Sequence, residues 1–96
     1  MATQPYDPMV AIEAELQEER AYALGLAGKK VEAAMADLER APDDEDLLDD
    51  AGTAVWHYLI VRESVHLFDH AEALAIYGIP GRVLARVGVI RRTPRP

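Results

Sequence analysis

The stretch that decides the fold is DDEDLLDDAGTAVWHYLIVRESVHLFDHAEALAIYG, residues 43–78. It opens on clustered carboxylates directly after Pro42, where a helix dipole favours negative charge and the proline has ended whatever came before. From Leu47 the apolar residues step by four and three: Leu47, Ala51, Ala54, Tyr58, Val61, Val65, Phe68. That is heptad spacing, and it predicts one helix over about 44–77 with a continuous seam. A second row, Leu48, Val55 and Leu59, widens the apolar arc beyond what one partner helix covers. Gly78 suits the left-handed cap that closes such a helix.

Upstream, Asp7-Pro8 is a helix start, an acceptor at the N-cap followed by a proline whose missing N–H costs nothing at the first position. Met9, Ile12, Leu16, Ala23, Ala27, Val31, Ala34 and Leu38 follow at helical spacing, interrupted around Glu18-Glu19-Arg20. The first helix therefore spans about 8–40. Gly25 and Gly28 weaken its middle, and they read as a small-residue face admitting another helix. Downstream, Ile79-Pro80 precedes a short helix over about 80–87, with Gly88 as its cap. That segment would fold back over the hairpin through Ile79, Val83, Leu84 and Val87.

The fold class is thus all-α, two long antiparallel helices plus a short C-terminal one. Residues 1–90 form one domain and 91–96 a basic, flexible tail. Helices of about 32 residues are roughly 48 Å long, whereas a compact chain of 96 residues has a radius of gyration of about 12–13 Å. Either the helices break, at Gly25–Gly28 and near His66–Ala71, or an elongated hairpin pairs with a second copy into a four-helix bundle. The wide arc of the second helix favours the homodimer, with Leu47, Ala51, Tyr58, Leu59, Val61, Val65 and Phe68 as its interface.

Composition narrows the function. The chain has no cysteine, which removes disulfides, thiol catalysis and thiolate metal sites. Nothing at the N-terminus resembles a secretory signal and no apolar run is long enough to cross a bilayer, so a cytoplasmic location with no membrane role is the expectation. All seventeen acids lie in residues 1–72, while residues 73–96 carry five arginines and no acid. An acidic body argues against nucleic acid; the basic end could meet an anionic surface or a neighbour's acidic body, but five arginines are too few to define a polyanion site and a solvated tail is the preferred reading.

Three constellations carry possible chemistry. Glu63, His66 and His70 fall on one side of a continuous helix, a spacing that offers carboxylate and imidazole to iron or zinc, with Glu13, Glu15 or Glu32 of the first helix completing the set. A di-iron bundle needs two such motifs and one is present, so a polar stripe beside the core is the preferred reading. Arg62 inside an apolar run reads as a structural ion-pair member, with Asp69 as one partner and an acid on the first helix or on a partner subunit as the alternative. Arg82 and Arg86 after a glycine turn superficially resemble the second helix of a DNA-binding helix-turn-helix, on a body too acidic for that role. No nucleophile elbow or phosphate loop is visible, and Ser64 is the sole serine.

Ile-Val-Arg-Glu at 60–63, Leu-x-Asp at 67–69 and Tyr-Gly-Ile-Pro-x-x-Val-x-x-Arg-x-Gly at 77–88, with Ala-Leu-Gly-Leu-Ala-Gly-Lys-Lys-Val-Glu-Ala-Ala at 23–34, resemble a family of small uncharacterised proteobacterial proteins, a domain of unknown function. The resemblance covers most of residues 10–88. It departs at Val61, where the pattern has Gln, and at His66, where it has a small residue. It implies an all-helical fold, and it brings no activity and no catalytic residue. The expectation is a non-enzymatic module that self-associates or binds an unidentified protein partner, without cofactor. The rivals are a metal-binding bundle and a DNA-associated regulator.

Overall fold

A computed structural model describes residues 7–89. Four helices follow one another, α1 (Pro8–Arg40), α2 (Glu45–Ser64), α3 (Ala71–Ile76) and α4 (Gly81–Leu84). No strand occurs among the described residues.

Side-chain caps set the start of both long helices. Asp7 Oδ1 accepts the Met9 N–H at 2.9 Å and Pro8 sits in the first turn. Asp44 Oδ1 accepts the Leu47 N–H at 3.0 Å, and Glu45 and Asp46 occupy the positive end of α2. Between them Ala41–Asp43 form a tight turn, so α1 and α2 are antiparallel neighbours.

α2 stops at Ser64, well short of the expected end near Tyr77. His66 takes φ of 65°, donating its N–H to the Glu63 carbonyl (3.0 Å) while Leu67 donates to Arg62 (2.9 Å). These two bonds make a Schellman cap with histidine in the place glycine usually holds. The backbone itself therefore satisfies the last carbonyls of α2, and the chain reverses without any glycine or proline. Asp69 Oδ1 then accepts the Ala71 N–H at 3.2 Å and α3 begins. α3 closes on a second cap of the same kind. Gly78, at φ 62°, donates to Ala75 and Ile79 donates to Leu74, both at 3.1 Å. The short C-terminal helix is also briefer than expected, with turn geometry from Ala85 to Gly88.

The core is small. Ala27, Val31 and Leu38 of α1 meet Leu48, Ala51, Val55 and Tyr58 of α2, with Ala73 and Val83 closing the two ends. Small residues bring the backbones together. A Cβ on Gly28 would stand 2.5 Å from the Tyr77 hydroxyl, and one on Gly52 would stand 2.7–2.8 Å from the Arg86 backbone. The small-residue reading thus holds at Gly28. A Cβ on Gly25 would meet nothing within 4 Å.

α1 has 33 residues against the 20 of α2, about 50 Å against about 30 Å. The Tyr58 ring lies 3.8 Å from a Cβ built on Gly28, so Ser64, six residues on, is level with about Tyr22. Upstream of that level no helix lies beside α1 among the described residues. From Asp7 to Ala23 every residue is exposed except half-buried Ala11. The molecule is accordingly elongated, 67 × 30 × 21 Å with a radius of gyration of 17.9 Å. The helix break expected near His66–Ala71 and the elongated shape, posed as alternatives, occur together.

Candidate functional site

The α2–α3 turn gathers the polar residues singled out by the sequence. Arg62 is half-buried on the last turn of α2, its guanidinium carbon 5.8 Å from the Tyr58 ring centre. It donates Nε–H to Nδ1 of His70 at 3.2 Å and an Nη2 proton to the backbone carbonyl of Asp69 at 2.8 Å. His70 Nε2 lies 3.1 Å from Glu63 Oε1. Because Nδ1 accepts from arginine, the network assigns the ring proton to Nε2, which donates to Glu63. The chain of contacts Glu63–His70–Arg62–Asp69 locks the reversal after α2.

Two expectations are corrected by this geometry. Arg62 reaches Asp69 at its carbonyl and not at its carboxylate, which is engaged by the Ala71 N–H. The break in the helix removes the shared azimuth that a continuous helix would have given the pair. The Glu63, His66, His70 set is also parted. Glu63 and His70 meet, while the left-handed His66 backbone swings its ring toward Phe68, 6.1 Å between centroids. Among the described residues no three His, Asp or Glu side chains are placed to share a metal ion.

Beside this network lies an open cleft of about 580 Å³ between α2 and α3. Tyr58, Arg62, Phe68, Ala73, Ile76 and Tyr77 form most of its wall. Tyr77 stacks edge-on against Tyr58, 5.4 Å between centroids and 86° between planes. Its phenol is pushed above the ordinary value of 10, first by burial, then by Tyr58 and by the negative charge of Glu32. The Ser64 hydroxyl is hydrogen-bonded to the Val61 carbonyl at 2.6 Å. No base touches it.

Arg82, exposed, and Arg86, half-buried, are both engaged by the hairpin. Arg86 bridges Asp49 at 2.7 Å and Glu45 at 2.6 Å, and those two hydrogen bonds, Asp49 first, raise its pKa further. Arg82 donates to the Pro42 carbonyl at 2.5 Å. Both therefore fasten α4 to the beginning of α2, and Val83 between them is fully buried. Gly52, which admits Arg86, carried no signal in the sequence pattern beyond its place opposite the seam. Leu84 stays exposed, while Ile79 and Val87 are half-buried against the core. Arg91, Arg92 and Arg95, with the rest of the tail expected at 91–96, lie outside the described residues.

Ala51 and Tyr58 are buried within the protomer, Leu47, Leu59, Val61 and Val65 are half-buried, and Phe68 is exposed. The seam packs on α1 of the same chain because the hairpin closes on itself. The exposed apolar residues stand elsewhere, at Met9, Val10, Ile12 and Leu16 of α1, at Trp56 and Ile60 of α2, and at Leu67, Phe68 and Ile76 beyond it. No helix among the described residues is long and apolar enough to cross a membrane.

A family of unknown function, DUF6665, matches residues 1–95, and the chain belongs to it. No curated protein and no solved structure matches the chain.

Proposed function

Since family membership assigns no activity, we propose that the chain is a non-enzymatic module that works by self-association, with the free half of α1 as its contact surface. One observation carries this reading. Met9, Ile12 and Leu16 stand on the same side of α1 as the stripe that Ala27, Val31 and Leu38 bury against α2, beyond the interruption at Glu18-Glu19-Arg20, yet they are 60%, 48% and 41% exposed. A helix presenting its core-facing stripe to water marks a surface made for a partner. The metal reading has less support, because His66 is turned from Glu63 and His70. So does the DNA reading, because Arg82 and Arg86 are engaged by Pro42, Glu45 and Asp49.

The test is the mass of untagged protein in solution by light scattering, with metal analysis on the same sample. A metal-free dimer at twice 10.6 kDa that dissociates on Ile12→Asp supports the reading. A monomer at all concentrations overturns it, and stoichiometric iron or zinc lost with His70→Ala replaces it with the metal reading.

A further inference from the structure

The stretch of α1 without a neighbour and the helix needed to cover it match in length. We propose that a second copy of this chain supplies that helix. Residues 8–22 of two protomers pair antiparallel about a two-fold axis near Leu16, each arm continuing the line of the other's α2. This rests on the self-association reading and specifies its geometry.

Three observations carry it. The stripe is broken at Glu18-Glu19-Arg20 but resumes on the same side of α1, so a helix covering Met9, Ile12 and Leu16 lies in line with α2, which already covers Ala27, Val31 and Leu38. The vacant length is bounded at one end by Pro8 and at the other by the level of Ser64, about 22 Å. An antiparallel arm of equal length fills it and brings Met9 and Val10 of the second copy onto Leu67 and Phe68. Those two are 42% and 66% exposed at the end of α2. A two-fold pairing makes both contacts at once.

Charge selects the antiparallel direction. Glu13 and Arg20, seven residues apart, fall within the stripe itself, about five helical turns from the buried Val31 and Leu38 respectively. Antiparallel pairing near Leu16 sets Glu13 toward Arg20 of the second copy, twice. Parallel pairing sets glutamate on glutamate and arginine on arginine. Glu19, on the edge of the stripe, stays as an opposing charge, so its removal is expected to tighten the pair.

The arm also excludes a simpler occupant. It carries Asp7, Glu13, Glu15, Glu18 and Glu19 against Arg20 alone, which repels an anionic bilayer.

The absence of cysteine allows a clean test. A nitroxide on full-length Val10→Cys is mixed with unlabelled, isotopically enriched wild-type chain, and amide broadening in the enriched copy is read by NMR. The expected result is broadening at residues 19–23 and 65–68. Broadening at 8–12 would mean parallel arms, and broadening at 65–77 without 19–23 would mean docking in the cleft, which Leu67 and Phe68 also line; either overturns the antiparallel pair. A dimer with no broadening in the arm also overturns it while leaving self-association standing, whereas a monomer removes both. By sedimentation, Leu16→Asp is expected to raise the dissociation constant by at least about tenfold. Glu13→Arg weakens association by about threefold or more, and Glu13→Arg with Arg20→Glu restores it. Glu19→Leu tightens it. Unchanged association across all four variants, each checked as folded by circular dichroism, overturns the proposal.

Discussion

His66 holds the left-handed position of a helix cap, a conformation that a side chain with a Cβ adopts at a cost of about 1 kcal/mol relative to glycine. His66→Gly is therefore expected to stabilise the fold by about that much, a rise in Tm of about 4–8 °C on thermal unfolding. His66→Val is expected to lower it, since a β-branched residue tolerates that backbone least. A Tm that falls with glycine would mean the ring contact with Phe68 outweighs the backbone term. Tyr77 gives the second prediction at this scale. Its phenol is raised above its ordinary value, so the folded chain holds that proton more tightly than the unfolded chain does. The resulting stability is complete below about pH 10 and declines as pH rises through the folded value. Tyr77→Phe is expected to flatten that alkaline limb in urea titrations at pH 9–11. An alkaline limb equally steep in the variant would assign it to other groups.

Glycines at the level of the elements separate packing from propensity. Gly25→Ala places its methyl in open space and is expected to stabilise by about 1 kcal/mol through helix propensity. Gly52→Ala drives a Cβ into the Arg86 backbone, which no rotamer change relieves, and is expected to cost about 1–3 kcal/mol. Urea midpoints of the two variants should move in opposite directions; a shift of the same sign would break the packing argument for α4 on α2. These contrasts also show which parts of the fold the sequence makes legible. Asp7, Asp44 and Gly78 mark their helix ends through local chemistry, and both long helices begin where those residues place them. The end of α2 is illegible because backbone bonds from His66 and Leu67 make its cap, and histidine is no signal for one. A regular heptad running through Val65 to Phe68 conceals the break, since apolar spacing persists where the helix does not. Arg62, Glu63, Asp69 and His70 are recognisable as a polar group from their spacing, but who bonds to whom depends on that reversal. Arg86 reads as a free cation until α4 folds back onto the acids that open α2.

The whole molecule joins a packed hairpin to an arm that little holds in place. A helical segment of about fifteen residues is marginal in water without tertiary contacts, and the arm is helped by the Asp7 cap and by its continuity with the packed half of α1. Its length and apolar stripe make sense together if the partner that orders it is present at working concentration. Association and helicity are then one equilibrium. On dilution below the dissociation constant the chain is expected to lose up to about a quarter of its helical signal, as the arm frays while the α1–α2 core stays intact. Hydrogen exchange should locate that loss at residues 8–22, with Val31, Leu38 and Val55 still protected. The Trp56 side chain, 3.8 Å from a Cβ built on Gly88 and on the packed part of α2, should report no change in fluorescence over the same range. Helicity independent of concentration in a dimer would mean that the arm holds its helix alone. A concentration-dependent loss spread evenly through the core would instead make dimer formation and folding of the whole chain a single step.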